Sequence, residues 1–302
     1  MMSAIDKCDH IAEQLYVMYL VPRVIELLKI GATLKIRRNT THILGSVLSL
    51  CSIYTGTIAS SGVVPILINW LCDPDRELRE SALFALGNLA AENCNCRDLC
   101  IKHGMPQKLV LIANKLVFFY KNLSLTLPEA RCAVWTASNL CRGKNPPVDV
   151  NKIAVLLPLL NEAIQSSDTQ IVTDAVRAFA RLLDALPVKL YKNILTDVVV
   201  DRLVTYLNHP NKNIWSSALL AIGNIVSGDD DQTQSVLDRP DALPNLHRIL
   251  LDGDPKTKRE VAWALSNIAA GNSKQIQAIF DAGIVPSLMN ILSNETFRTR
   301  TE

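Results

Sequence analysis

The sequence has little of what marks an enzyme, a nucleic-acid binder or a membrane protein. Its five histidines are scattered, and neither a phosphate-binding loop nor a G-x-S-x-G nucleophile motif occurs. Lys and Arg number 31 against 29 Asp and Glu, so the basic excess needed for non-specific nucleic-acid binding is lacking. No apolar run reaches the length of a membrane span. We therefore expect a soluble intracellular chain that is not an enzyme, with no cofactor and no nucleic-acid or membrane partner.

Cysteine spacing is too irregular for a disulfide framework. Cys51, Cys132 and Cys141 lie in apolar helical patterns and are predicted to be small buried residues in a reducing compartment. Four potential zinc ligands crowd one predicted turn: Cys94, Cys96, Cys100 and His103. Their spacing matches neither a zinc finger nor a zinc ribbon, so we expect no metal site there.

Aliphatic residues at helical spacing are what the sequence has in abundance. Hydrophobic residues make up 49% of the chain and aromatic residues only 5%, which suits the close packing of helices. Between glycine and proline breaks, apolar residues recur at i, i+3, i+4 and i+7, the pattern of amphipathic helices. No stretch alternates with period two. The sequence therefore predicts an all-α protein.

A short motif recurs in which an aromatic residue or leucine precedes an asparagine by four positions. The copies are Phe84-Ala-Leu-Gly-Asn88-Leu-Ala, Trp135-Thr-Ala-Ser-Asn139-Leu-Cys, Leu220-Ala-Ile-Gly-Asn224-Ile-Val and Trp263-Ala-Leu-Ser-Asn267-Ile-Ala. The last two asparagines lie 43 residues apart, and the second and third lie 85 apart, with a degenerate copy between them at Arg177 and Arg181. The first interval is 51 residues, which predicts an insertion within Lys115–Pro128.

Turns rich in glycine and proline keep the same period. They are Gly62-Val-Val-Pro65, Gly104-Met-Pro106, Ala242-Leu-Pro244 and Gly283-Ile-Val-Pro286. Helical repeats of this length are typical of the armadillo and HEAT class, whose repeats stack because none buries its apolar face alone. We predict a right-handed armadillo-repeat solenoid of about six to seven repeats. It would form a single domain over residues 1–302, with diverged repeats in 1–60 and clear ones in 61–302.

Longer strings around the motif resemble one family. Residues 130–147, Ala-Arg-Cys-Ala-Val-Trp-Thr-Ala-Ser-Asn-Leu-Cys-Arg-Gly-Lys-Asn-Pro-Pro, are similar to the fourth repeat of importin-α proteins almost word for word. Residues 223–234 resemble the sixth repeat of that family and residues 261–272 the seventh, and the similarity runs from roughly Val63 to the end. The resemblance implies an adaptor of the cytoplasm and nucleus that carries proteins with Lys/Arg-rich nuclear localisation signals.

The chemistry of the motif can be read from the residues themselves. Side chains four positions apart in a helix lie on one face, so the repeats predict parallel rows of amides and aromatic rings. An asparagine amide both donates and accepts, and can hold both backbone groups of an extended peptide. Rings one repeat apart would form slots for the alkyl stems of Lys or Arg, with carboxylates nearby for their charged ends.

The resemblance implies two sites for basic clusters. The major site would comprise Phe84, Asn88, Glu92, Trp135 and Asn139. The minor site would comprise Asn224, Thr233, Glu260, Trp263 and Asn267. An alternative stays open at each position, because a tryptophan at helical spacing is often part of a core and a mid-helix asparagine often bonds only a neighbouring helix.

Departures from the family pattern weaken this interpretation. The second-repeat pair is expected at Leu48 and Ser52, which supply neither a ring nor an amide. Met1–Tyr19 holds only one base, Lys7, so we expect no importin-β-binding segment and do not expect importin-β as a partner. The chain stops at Glu302, where the long helix of the eighth repeat would follow, so the minor site is expected to lack one wall. The alternative function is an armadillo scaffold or regulatory paralogue that has lost classical transport.

Two charged features have open interpretations. Arg177 and Arg181 would place positive charge in the middle of the peptide path and repel Lys or Arg there; equally, they would be solvated or paired with Asp174 and Asp184. The acidic run 229–231 is expected to be a solvated turn, and it would also add negative potential near the minor site.

Overall fold

The computed structural model describes residues 19–119 and 127–294, and helices dominate both stretches. Within these residues no β-strand forms, and the only extended pairing is a single bridge between Lys144 and Pro147. The prediction of an all-α protein is therefore confirmed. No single helix in the described part of the chain is both long and apolar enough to cross a membrane.

The chain divides into two compact units, Met1–Leu159 and Leu160–Glu302, with the boundary inside one short helix. The first unit contains α1 (residues 19–30), α2 (Leu34–Leu50), α3 (Thr55–Ser60), α4 (Val64–Trp70), α5 (Arg76–Glu92), α6 (Cys94–Lys102), α7 (Met105–Phe119), α8 (Leu127–Leu140) and α9 (Val150–Ile153). After the boundary helix α10 (Leu157–Ala163), the second unit contains α11 (Thr169–Ala185), α12 (Asp197–Tyr206), α13 (Lys212–Val226), α14 (Asp230–Leu237), α15 (Ala242–Asp252), α16 (Pro255–Ala269), α17 (Ser273–Asp281) and α18 (Val285–Asn294). The prediction of a single domain stays a prediction.

A polar residue caps the N-terminus of each of several long helices. The Asp75 carboxylate accepts a hydrogen bond from the Leu78 backbone N–H at 2.9 Å and so caps α5. The caps at the start of the other long helices are Thr33 for α2, Asp168 for α11, Asn211 for α13 and Asp254 for α16. These residues satisfy backbone N–H groups that a helix leaves unpaired at its start.

The predicted glycine turns are present where the backbone needs them. Gly62 and Gly104 have φ values of 83° and 82°, in the left-handed region that residues with a Cβ rarely adopt. α7 begins directly after Gly104, and α4 begins two residues after Gly62. Each glycine therefore reverses the chain between two helices of a repeat, as the sequence period indicates.

The long helices of each unit pack on one another, and we call them its inner helices. In the first unit α5 packs between α2 and α8, and in the second α13 packs between α11 and α16. Their apolar faces are fully buried, as Leu86 on α5 and Ile222 on α13 illustrate. This stacking places the motif residues of successive repeats side by side within each unit.

Two predictions fall partly or wholly outside the described residues. The insertion expected within Lys115–Pro128 meets the end of α7 at Phe119 and the start of α8 at Leu127, and residues 120–126 are not described. The N-terminal stretch Met1–Tyr19 lies outside the described residues except for its last member.

Of the three cysteines predicted to be buried, Cys141 is buried, whereas Cys51 and Cys132 are partly exposed.

Candidate functional site

Each motif ring lies against a glycine of the preceding inner helix. A Cβ added to the glycine would come far closer to the ring than real Cβ atoms do. Measured from that added Cβ, the distance is 2.9 Å at Gly45 to Cδ1 of Phe84, 2.2 Å at Gly87 to Cζ3 of Trp135, and 2.4 Å at Gly223 to Cζ3 of Trp263. The glycine therefore fixes the register of one inner helix on the next, because no other residue leaves room for the ring.

This register corrects the assignment of the second repeat. Gly45 takes the same place on α2 that Gly87 takes on α5, so the motif pair of α2 is His42 and Ser46. The prediction of Leu48 and Ser52 is wrong. Leu48 is buried in the core, and Ser52 follows the end of α2 in a short 3-10 helix.

We name the two resulting rows of side chains by their units. The first ladder comprises His42 and Ser46 on α2, Phe84 and Asn88 on α5, and Trp135 and Asn139 on α8. The second ladder comprises Arg177 and Arg181 on α11, Leu220 and Asn224 on α13, and Trp263 and Asn267 on α16. Each of these residues together with its partner four positions later is one rung.

The amides of the first ladder are bonded to the preceding inner helix. The Asn139 side-chain N–H donates to the Gly87 carbonyl at 3.3 Å, and Asn139 is only 4% exposed. The Asn88 side-chain N–H donates in the same way to the Gly45 carbonyl at 3.4 Å. The inter-helix hydrogen bond, one of the two interpretations of these asparagines, is therefore present in the first unit.

The rings of the first ladder stack on each other. The centroids of Phe84 and Trp135 lie 6.3 Å apart with an interplanar angle of 25°. A methylene chain between two rings needs about 7–8 Å, since each carbon contact takes about 3.5–4 Å. The slot expected between these two rings is therefore closed in this structure. Phe84 remains 40% exposed, and the Glu92 carboxylate at the end of α5 is exposed as well.

The amides of the second ladder differ from those of the first. Asn224 is 7% exposed and Asn267 is half-buried, and the side-chain nitrogens of both are buried without a hydrogen-bond partner. The rung before Trp263 carries the aliphatic Leu220 in place of an aromatic residue. No ring of that rung therefore stacks on the indole of Trp263. The indole of Trp263 is half-buried.

The remaining residues predicted for the minor site are placed differently from each other. Glu260 lies one turn before Trp263 on α16, is half-buried, and has its carboxylate 3.8 Å from the Lys256 ammonium. Thr233 on α14 is buried, and its hydroxyl donates to the Val226 carbonyl at 3.3 Å. A peptide contact by Thr233 therefore finds no support in its placement, whereas Glu260 lies beside the second ladder.

The arginines of the α11 rung have acidic neighbours. The Arg177 guanidinium contacts the buried carboxylate of Asp174 at 2.7 Å, so the ion-pair interpretation holds for this residue. Desolvation raises the pKa of Asp174, and the charges of Arg177 and Arg181 act in the opposite direction. Arg177 and Arg181 are nevertheless both partly exposed, on the helix that packs against α13.

The cysteines predicted to lie in a turn lie on helix α6, with His103 at its C-cap, and the acidic run begins helix α14. Burial raises the pKa of Cys100 to about 12, which disfavours the thiolate that would bind a metal. Among the described residues, no group of three His, Cys, Asp or Glu side chains comes together as metal ligands would. At the acidic run, Asp229 caps α14 through a capping box with Gln232, and the Asp230 carboxylate accepts from the Asn272 amide at 3.2 Å.

Comparison with protein families finds two short matches. A HEAT repeat model matches residues 63–92, and an Armadillo/beta-catenin-like repeat model matches residues 229–270. Together with the stacking of the inner helices, these matches confirm the predicted all-α armadillo solenoid.

Curated relatives give a more specific similarity. The chain is 35% identical to importin subunit alpha-1a of Oryza sativa subsp. japonica over 271 residues, which cover 89% of this chain and 49% of that protein. It is 39% identical to importin subunit alpha-3 of Arabidopsis thaliana over 244 residues, covering 80% of this chain and 44% of that protein. The chain thus spans about half the length of the curated relatives it matches.

Solved structures share the fold. An engineered protein superposes with a TM-score of 0.79 at 24% identity, covering 92% of this chain and 65% of that one. A designed armadillo repeat protein, YIII(Dq.V1)4CPAF, solved in complex with the peptide (KR)4, superposes with a TM-score of 0.67 at 25% identity, covering 78% of this chain and 95% of that one.

Proposed function

Because the chain is a divergent member of the importin-α family, we propose that it binds Lys/Arg-rich nuclear localisation signals and acts as an adaptor in protein import into the nucleus. The bound segment would lie extended along the ladders. The protein would then work in both the cytoplasm and the nucleus, with proteins that carry such signals as its partners.

The observation that supports this proposal best is the register of the rungs. Glycine contacts set Phe84, Trp135 and Trp263 at one repeated position on their inner helices, each four residues before an asparagine. Packed helices lie about 8–10 Å apart, and an extended peptide advances about 3.3 Å per residue, so each rung would meet every second or third peptide residue. Amides at that spacing suit the backbone of an extended chain, whatever its sequence.

Preference for basic side chains would come from rings and carboxylates. The face of Trp135 or Trp263 attracts a Lys or Arg cation by about 0.5–2 kcal/mol. Glu92 and Glu260 lie one turn beyond Asn88 and one turn before Trp263, where they would receive the charged ends. The (KR)4 peptide bound by the similar designed armadillo protein is a ligand of the same chemical class.

Titration with a fluorescent peptide that carries two Lys-rich clusters tests the proposal. The matched control is the same peptide with each Lys replaced by Ala. We expect binding of the Lys peptide alone, weakened by added salt because screening reduces the attraction between exposed charges. The double variant Trp135→Ala, Trp263→Ala should bind at least tenfold more weakly; unchanged binding would refute the proposed function.

A second candidate is an armadillo scaffold that has lost transport. The first ladder favours it, because His42 and Ser46 stand on the first rung and the Phe84–Trp135 slot is closed. Pull-down from cell extract separates the two functions. A stable partner that lacks a basic signal, retained by the double tryptophan variant, would support the scaffold, whereas partners lost together with Lys-peptide binding would support the adaptor.

A further inference from the structure

We infer that the rung of α11, formed by Arg177 and Arg181, binds an acidic side chain of the peptide, so that the preferred ligand carries Asp or Glu beside its basic cluster. This inference rests on the proposed function and adds a specificity to it, because the protein would recognise charges of both signs along one extended segment. Three observations support it: the position of the two arginines, the acids around them, and the spacing of the rungs.

The two arginines occupy rung positions of an inner helix. Arg177 precedes Arg181 by four positions, so both lie on one face of α11. Arg181 lies 43 residues before Asn224, and Asn224 lies 43 residues before Asn267, so the period of the second ladder is kept. α11 packs directly on α13, which carries the Asn224 rung. A peptide that extends along the second ladder past Asn224 therefore meets two guanidinium groups.

The positive charge of this rung exceeds the negative charge buried next to it. Asp174, one turn before Arg177, is 4% exposed, and its carboxylate contacts the Arg177 guanidinium at 2.7 Å. The charge of Arg181 acts on the same carboxylate, so two arginines share one buried acid. The bond to Asp174 occupies one terminal nitrogen of Arg177, whereas a guanidinium has five N–H donors. An incoming carboxylate would therefore find both charge and donors.

The neighbouring elements do little to cancel this excess. α13, which packs on α11, contains neither Asp nor Glu. Asp184, one turn beyond Arg181, and Glu162 on α10 are both exposed to water. Ion pairs with exposed acids are weak, because water and salt screen them and two long side chains must be ordered. A carboxylate of a bound peptide can therefore compete with these acids for the arginines.

A carboxylate is the group that suits this rung best. A planar guanidinium donates two parallel hydrogen bonds to a carboxylate, and such charge-assisted bonds are shorter and stronger than those between neutral groups. A Lys or Arg of the peptide is repelled at the same place. Arg177 and Arg181 supply neither a ring for an alkyl stem nor an amide for the peptide backbone. What this rung adds to affinity therefore depends on an acidic side chain.

The spacing of the rungs sets the distance between the acidic and basic residues. Neighbouring inner helices lie about 8–10 Å apart and an extended peptide advances about 3.3 Å per residue, so one rung corresponds to about two or three peptide residues. Glu260 lies beside Trp263, two rungs from Arg177, and favours a basic side chain there. The acid should therefore lie about four to six residues from the lysine at Trp263.

Peptides that differ only in one flank test the inference. Each carries a single Lys-rich cluster, and the flanking residues about two to six positions away are all Glu, all Gln or all Lys. The flank precedes the cluster in one set and follows it in the other, because the direction of the peptide is an outcome of the test. Fluorescence anisotropy gives the Kd.

For one of the two placements, the unaltered protein should bind the Glu peptide about threefold to tenfold more tightly than the Gln peptide, and the Lys peptide more weakly than the Gln peptide. Equal or weaker binding of the Glu peptide in both placements would overturn the inference while leaving the proposed function intact. Failure of every peptide to bind would instead overturn the proposed function.

Removal of charge from the protein assigns the effect to α11. Asp174→Asn, Arg177→Gln and Arg181→Gln are combined, because loss of the arginines alone would leave the buried Asp174 carboxylate unpaired. This variant should bind the Glu and Gln peptides equally. The matched control, Lys192→Gln with Arg202→Gln, removes two positive charges from elements outside the ladder and should keep the preference for Glu. A preference for Glu that persists in the α11 variant would contradict the inference.

A measurement on the unaltered protein covers the risk that the α11 variant does not fold. A photo-reactive benzoyl-phenylalanine is placed beside the Glu residues of the peptide, and its cross-links are mapped by mass spectrometry. Cross-links to α11 would support the inference. A set of cross-links from which α11 is absent would overturn it.

Discussion

Trp135 lies on Gly87 so closely that a Cβ at that glycine would come within 2.2 Å of Cζ3 of the indole. The contact joins α8 to α5 at the centre of the first ladder and places Asn139 where its amide reaches the Gly87 carbonyl. The same relationship joins Trp263 to Gly223 in the second unit. A residue without a side chain therefore sets the position of each of these two indoles.

Gly87→Ala should destabilise the protein and displace Trp135. The indole is rigid and cannot yield by a small rotation, so the added methyl forces the helices apart at a cost of about 1–3 kcal/mol. Chemical denaturation measures the loss. Gly56→Ala is the matched control, because nothing lies within 4 Å of a Cβ there, and it should leave stability unchanged or slightly raised. Equal stabilities of the two variants would contradict the register described above.

Arg97→Met should destabilise the first unit strongly. Arg97 is 1% exposed, and its guanidinium donates to the carbonyls of Arg142 and Pro146 in the loop after α8. Met fills the volume but donates to neither carbonyl, so two hydrogen bonds from a buried charged group are lost, which predicts a loss of about 2–4 kcal/mol in thermal or urea unfolding. Arg23→Met removes only an exposed ion pair and should change stability by less than about 0.5 kcal/mol. A similar small effect at Arg97 would show that the loop is held by other contacts.

Asp254→Asn should weaken the protein near neutral pH but not in acid. Hydrogen bonds from Thr257 and then from Lys212 lower the pKa of the Asp254 carboxyl to about 2, from 3.8 in an unfolded chain. A group whose pKa is lowered by folding stabilises the fold above its unfolded pKa, and this contribution is lost as the pH falls toward the folded value. The free energy of unfolding should therefore differ between the two proteins at pH 6, and the difference should shrink as the pH falls below 3.8 toward 2. A difference that stays constant over this range would contradict the assignment.

Features that neighbouring residues determine could be predicted from the sequence. Asp75 caps α5 and Gly62 turns the chain because cap and turn geometry depend on residues a few positions away. The sequence could not decide between the two interpretations of Asn139, nor predict the stacking of Phe84 on Trp135, because both depend on the distance between neighbouring helices. The burial of Thr233 is of the same kind, since the orientation of α14 decides it.

The position of the rung on α2 could be predicted from the sequence only in part. Its segment has no tryptophan, and its asparagine, Asn39, follows Lys35 rather than a ring by four positions, so a spacing of four residues alone also fits Leu48 and Ser52. The signal that identifies the rung is the string His42-Ile-Leu-Gly-Ser46, which lies 42 residues before Phe84-Ala-Leu-Gly-Asn88 and keeps its glycine in place. Glycine is the informative residue because the contact with the ring of Phe84 excludes any side chain there.

The assignment of the α2 rung to His42 and Ser46 makes a prediction that the assignment to Leu48 and Ser52 does not. His42→Trp with Ser46→Asn restores a ring and an amide to the first rung, and should strengthen binding of a Lys-rich peptide about threefold to tenfold through a cation–π contact and new hydrogen bonds. The matched variant Leu48→Trp with Ser52→Asn forces an indole into a buried core position and should lower stability without raising affinity. Peptide titration and thermal unfolding of both variants compare the two assignments. Tighter binding by the Leu48 variant would return the rung to Leu48 and Ser52, because only side chains that face the peptide can contribute to its affinity.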